Sequence, residues 1–185
     1  MKKITSIILA LVLIIGCLTI LSSCQSSPRP ECPDGYQFLP MSYISFAYPD
    51  DWYVTSSNGV PMVINPSGTG NNITYVSEVK TKLYEEKSAE EVIELLKPQL
   101  DSIGMTTANP EKEVKEVNGL EVIIFSYDAE LEGTSFKQIC YIVSEGSYTH
   151  TVSVTLLEDD PALLENVFNT LHTRSMTDVF ADMFG

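Results

Sequence analysis

Two histidines and four cysteines are the residues most able to do chemistry here. Cys140 and His150 lie ten positions apart in neighbouring strand-like runs, so a thiol nucleophile served by an imidazole base is one arrangement to consider. Against it, Cys140 sits inside the apolar run Phe136 to Val143, where a small buried residue is the simpler reading. His150 falls on the apolar register of its strand and His172 ends an apolar helical stripe, so both are expected to be structural. The chain holds no Gly-x-Ser-x-Gly, no His-Glu-x-x-His and no Cys-x-x-Cys. No catalytic constellation and no cofactor motif is therefore expected, and a non-catalytic binding module is the leading function. Cys32 and Cys140 are a candidate disulfide pair; the alternative is two unpaired thiols.

Metal chemistry has little to work with. Glu85, Glu86, Glu90, Glu91 and Glu94 form an acidic cluster, but at helical spacing such a run is expected to be a solvated face. Glu158, Asp159 and Asp160 lack the alternating spacing of a calcium loop, and Asp160 before Pro161 fits a helix cap instead. The glycines of the loop Asn65 to Asn71 are not followed by the Lys-Ser/Thr of a phosphate-binding loop, so a long hairpin connection is expected there. A contact surface is sought among Tyr48, Trp52 and Tyr53, because aromatic side chains concentrate in binding patches, with core packing the equal alternative for Trp52.

The N-terminus says where this chemistry takes place. Lys2 and Lys3 precede an apolar run from Ile7 to Ile15 that extends to Ile20, and Leu21-Ser22-Ser23-Cys24 follows. A basic start, an apolar middle and small residues before a cut make an export signal. The run is slightly short for a spanning anchor, which needs about 20 apolar residues. The four residues ending at Cys24 resemble the bacterial lipobox, which implies a diacylglyceryl group on that thiol and cleavage just before it. A second run, Ile14 to Cys17, would leave an apolar tail on the mature chain, so Cys24 is the better attachment point. Two acyl chains make a stable anchor. Residues 1–23 are then signal and residues 24–42 a lipidated, proline-rich tether.

The chain has 185 residues, and loss of Lys2 and Lys3 leaves 9 basic against 25 acidic side chains, a balance of −16. So acidic a surface excludes nucleic acid as a partner and is expected to stand off an anionic bilayer. The expected partners are the membrane, through the lipid, and an unidentified protein or small molecule.

The elements that must position these residues follow from periodicity. Leu120 to Tyr127, Phe136 to Val143 and Tyr148 to Leu157 are strand-like runs separated by turns at Gly133 and Gly146, an antiparallel meander. Asn118-Gly119 predicts a hairpin joining a preceding strand at Val114 to Val117, and Asn58-Gly59 predicts another. Val122 to Phe125 are consecutive apolar residues, so this strand needs cover on both faces. Pro61 places its strand at an edge or a bulge. Ser88 to Glu91 is a capping box ahead of the stripe Val92, Leu95, Leu96, Leu100 and Ile103, with a kink or a break into two short helices expected at Pro98 and an exit at Gly104. A second helix begins at Pro161 and buries Leu163, Leu164, Val167, Phe168 and Leu171. Residues 174–185 end the chain with an amphipathic stripe, Met176, Val179, Phe180, Met183 and Phe184, which docks on its own domain or on a partner.

The fold class is thus α+β, an antiparallel sheet covered by helices. The order of elements, with the run Phe46 to Trp52 near the start and Glu145 to Tyr148 before the last strand, resembles the PsbP-like family, which takes in PsbP, Mog and DcrB. The resemblance covers residues 43–173 and implies an α/β/α sandwich and binding rather than catalysis. A structural accessory subunit of an envelope complex is the alternative function.

Overall fold

The computed structural model describes residues 29–40, 42–57 and 59–175. Strands β4 (Tyr53–Ser57), β5 (Val60–Ile64), β6 (Asn72–Val79), β7 (Met105–Val117), β8 (Leu120–Leu131), β9 (Thr134–Glu145) and β10 (Tyr148–Leu156) form one seven-stranded sheet. Its order is β4-β5-β6-β10-β9-β8-β7, and every neighbouring pair is antiparallel. Strands β1 (Tyr36–Phe38) and β3 (Ala47–Pro49) pair, as do β2 (Ile44–Ser45) and β11 (His172–Thr173). Three helices complete the described elements: α1 (Leu83–Glu86), α2 (Ala89–Ser102) and α3 (Pro161–Asn169).

Register decides which side chains share a face. Ile123 lies opposite Ile142 and Phe125 opposite Cys140, and all four are buried with Ala89 and Val92 of α2. One residue along, Ile124 lies opposite Tyr141, which lies opposite Val152. That second face packs on Leu163, Val167 and Leu171, and on Leu39, Ile44, Phe46, Tyr48 and Trp52 from the N-terminal strands. The expected sandwich is present, with α2 on one side and α3 plus the two small sheets on the other. Each fully buried large apolar side chain contributes about 1.5–3 kcal/mol, so the face carrying Phe46, Ile44, Leu39, Leu163 and Leu171 is the larger store of stability.

Local signals act as expected in several places. The Ser88 hydroxyl accepts from the Glu91 N–H, and the Glu91 carboxylate accepts from the Ser88 N–H at 2.8 Å. Asp160 accepts from the Leu163 N–H at 2.9 Å, with Pro161 at the helix start. The ladder between β5 and β6 runs only from Met62 to Ile64, so Pro61 faces β4 alone and no ladder bond to β6 is lost.

Four expectations are corrected. Helix α2 runs unbroken through Pro98, so there are not two short helices: Pro98 and Glu94 are both exposed and water can take the unpaired Glu94 carbonyl. Its buried stripe is narrower than the spacing implies, with Leu95 and Ile103 exposed. The folded unit starts before residue 43: β1 lies within the expected tether, and Leu39 is buried beneath it. Strand β7 is 13 residues long, reaching back through a polar segment to Met105. It is an edge strand carrying a register shift between Ala108 and Glu111, a positive φ at Asn109, then Pro110, Lys112 and Lys115.

Asn118 binds the β7–β8 hairpin to the far layer. Its φ is +49°, as a type I′ turn requires, and its side-chain amide donates to the carbonyls of Asn169 and Leu171, each at 2.9 Å. Those carbonyls close the end of α3, so one side chain serves both the turn and the helix terminus. Asn118→Gly keeps the backbone conformation and loses the two bonds, an expected loss of about 1–2 kcal/mol. Asn118→Ala adds a left-handed penalty of about 1 kcal/mol. Urea unfolding of the two variants beside the parent checks both the loss and its order.

Candidate functional site

A concave site with aromatic and titratable lining lies at the turn of the β9–β10 hairpin. Residues 146 and 147 turn the chain, with Gly146 at a φ of +55°, and place Glu145 and Tyr148 at the two strand ends. Alternation along β10 then puts Tyr148, His150, Val152 and Val154 on the α3 side of the sheet. Opposite them on β6, Ser77 faces His150 and Val79 faces Tyr148. Tyr43 arrives from the chain before β2, and the Arg174 N–H fixes it by donating to the Tyr43 carbonyl at 2.9 Å. These residues enclose a cleft of about 650 Å3 lined by Tyr43, Ser77, Glu145, Tyr148 and His150.

His150 is buried at its centre. The Tyr43 ring stacks against the imidazole with centroids 5.2 Å apart, and Tyr75 lies nearly parallel at 6.1 Å. The Tyr148 ring is tilted at 6.4 Å. The Tyr75 hydroxyl and His150 Nδ1 are 2.9 Å apart. The Tyr43 hydroxyl donates to Glu145 Oε1 at 2.8 Å. Glu145 Oε2 is buried with no hydrogen-bond partner among the described residues. Burial lowers the His150 pKa below its ordinary value, against an upward pull from Glu145, so the imidazole is neutral at neutral pH. The cleft therefore presents aromatic walls, a neutral imidazole, a serine hydroxyl and one unsatisfied carboxylate oxygen. Such a surface suits binding, with a flat or apolar body against the rings and a donor toward Glu145.

The residues singled out in the sequence end in other places. Trp52 and Tyr48 are 6% and 4% exposed and pack in the core, as the core alternative for Trp52 had it; Tyr53 is 52% exposed but stands on β4, away from the cleft. The turn Asp50-Asp51 explains this, because Trp52 follows β3 into the layer beneath the sheet while Tyr53 begins the outer strand. Cys140 and His150 lie on opposite faces of the sheet, which removes the nucleophile and base pairing. Cys140 is buried beside the Ser153 hydroxyl at 3.5 Å, and burial pushes its thiol pKa up. Of the two readings left open for Cys32 and Cys140, the structure has the two unpaired thiols. Cys32 is exposed at the start of the layer that holds β1, its thiol donating to the Tyr36 carbonyl at 3.1 Å, whereas Cys140 faces α2 across the sheet. The acidic cluster is occupied by structural roles: Glu85 pairs with Lys80 and Glu86 with Lys82, each at 2.9 Å, and Glu91 closes the capping box. Cys24, Met176, Val179, Phe180, Met183 and Phe184 lie outside the described residues.

Sequence reasoning placed His150 on the correct face but missed Tyr43, Tyr75 and Glu145 as its neighbours. The signal within reach was Tyr148 and His150 at alternate positions of one strand, just after a Glu-Gly-Ser turn.

With this geometry in place, comparison with solved structures settles the architecture. The solution structure of cyanobacterial PsbP, CyanoP from Synechocystis sp. PCC 6803, superposes with a TM-score of 0.58 at 16% identity, covering 80% of this chain and 99% of that one. The fold is PsbP-like. A crystal structure of a Bacteroides thetaiotaomicron protein matches with a TM-score of 0.50 at 18% identity over 77% of this chain. This chain spans about half of that protein, 49% of its length. No family model matches the chain, and no curated protein matches it in sequence.

The lowered His150 pKa has a signed consequence. The unfolded chain takes up the proton near pH 6.5 while the folded chain resists it, so stability is complete above that pH and falls as acid carries the protein toward the folded value. His150→Gln keeps a partner for Tyr75 and removes the titration. Melting temperatures at pH 7.5 and 5.5 should fall further for the parent than for the variant.

Proposed function

We propose that the protein is a lipid-anchored, extracytoplasmic binding module whose ligand site is the cleft around His150. The observation that carries this reading is the combination in one cleft of two tyrosine rings, Tyr43 and Tyr148, beside a neutral, buried imidazole and a carboxylate oxygen without a partner among the described residues. The anchor is supported by the run Leu21-Ser22-Ser23-Cys24 after an apolar segment, with diacylglycerol on Cys24 holding the domain at the outer face of the bacterial cell membrane. No helix among the described residues is long and apolar enough to cross a membrane, which leaves attachment to the residues before them. The role is non-catalytic recognition of a small molecule or a short protein segment.

A second reading, a structural accessory subunit of an envelope complex, draws support from Val79 and Tyr148. They are 73% and 53% exposed and face each other across the β6–β10 ladder at the rim of the cleft. A protein partner seated on that rim would cover both.

Two measurements test the pair of claims. Cys24→Ser should abolish palmitate labelling and maturation sensitive to globomycin; persistent labelling sinks the anchor. Fragment titration of the isotope-labelled mature chain should move amide signals at Tyr43, Ser77, Tyr148 and His150, and Tyr148→Ala should weaken those shifts on the order of tenfold by removing one stacking wall. Shifts confined to other surfaces would refute the cleft. Val79→Asp separates the readings, since it should leave fragment binding intact while releasing any co-purifying envelope protein.

A further inference from the structure

Glu145 ends β9 in the wall of the aromatic cleft, and its two carboxylate oxygens fare differently. Oε1 accepts from the Tyr43 hydroxyl at 2.8 Å, whereas Oε2 is buried without a hydrogen-bond partner among the described residues. A carboxylate taken out of water calls for an opposite charge as well as for donors. Among the described residues neither a lysine nor an arginine lines the cleft, and Lys80, which follows the end of β6, is bound to Glu85 at 2.9 Å instead. His150 is the one base in the described lining. Burial holds its imidazole neutral, so it neither balances Glu145 nor repels a cation.

The rest of the lining favours the same class of ligand. Tyr148 is exposed at the mouth of the cleft, and an aromatic ring attracts a cation held over its face within about 6 Å of the centroid. The formal charge of the whole chain is −14, so its field draws cations in and turns anions away. A bare metal ion fits poorly. It needs several oxygen or nitrogen ligands together, and no group of three His, Cys, Asp or Glu side chains able to hold one occurs among the described residues. A volume of about 650 Å3 suits a small organic molecule.

We propose, resting on the reading of this cleft as the ligand site, that its ligand is a small organic cation: a protonated amine that donates to Glu145 Oε2 while a flat or apolar body lies against Tyr148. The ammonium supplies both things the buried oxygen lacks, an N–H donor and a positive charge, and such charge-assisted bonds are roughly twice as strong as neutral ones. A neutral donor of the same shape supplies only the first.

Two probes that differ in charge and little in shape test this. Benzylamine, protonated at neutral pH, and benzyl alcohol, uncharged, are titrated into the isotope-labelled mature chain while the amide signals of Ser77, Tyr148 and His150 are followed. Benzylamine should bind on the order of tenfold tighter than benzyl alcohol, and its affinity alone should fall as salt rises. Glu145→Gln keeps an acceptor for the Tyr43 hydroxyl and removes the charge, so it should bring the two affinities together. Glu94→Gln, at an exposed acid on α2, should leave the preference unchanged. If Glu145→Gln fails to fold, the preference and its salt dependence in the parent decide alone. Equal binding of the two probes at those signals, or a preference that survives Glu145→Gln, overturns the amine while leaving the cleft as a ligand site. Failure of both probes to move the signals also overturns it, and the fragment titration then shows whether the cleft falls with it.

Discussion

Everything in this fold follows from two adjacent strands that are apolar on both faces. Along β8 and β9, Ile123, Phe125, Cys140 and Ile142 point to one side while Val122, Ile124, Ile139, Tyr141 and Val143 point to the other. Neither side can be left to water, so the chain must supply two covering layers. One is the amphipathic helix α2, extended by Leu83 and Tyr84 of α1. The other is assembled from α3 and from short strands on both ends of the chain, which explains why segments as far apart as Ile44 and Thr173 are paired. The sheet in turn becomes a partition. It divides Cys140 from His150 and Cys32 from Cys140, so the chemistry suggested by residue types in sequence is prevented by the same alternation that makes the core.

The candidate site arises where the larger cover is pieced together rather than continuous. The aromatic cleft opens at the end of the β6–β10 pair, beyond the residues packed against Leu163, Val167 and Leu171. A composite layer leaves such openings, and polar groups collect in them because they cannot be carried inside the apolar contact. His150 shows the balance: it occupies a core register, yet one ring nitrogen is served by the Tyr75 hydroxyl and its plane by the Tyr43 ring.

Much of the architecture was legible because local signals and long-range demands agree. Asn118-Gly119, the Ser88 to Glu91 box, Asp160-Pro161 and the consecutive apolar residues of β8 each have one physical reading, and the structure uses all of them. What failed was placement across the chain. Residues 36–39, Tyr-Gln-Phe-Leu, are a short apolar stretch set in a proline-rich segment, and residues 36–38 pair with β3, a contact no local pattern encodes. Trp52 beside a turn resembles a surface aromatic until β3 and α3 are known to close over it. Tyr43 and Glu145 are 102 positions apart, so their bond was invisible to any reading by period or spacing.

The irregular outer strand β7 has an effect on how the molecule behaves in company. Thirteen residues of sheet margin would otherwise invite a neighbouring copy to zip alongside. The dislocation after Ala108, the proline that follows and the two lysines spoil the spacing and the charge that such stacking needs. With the opposite margin, β4, limited to five residues, many copies can crowd one surface without fusing their sheets into fibres.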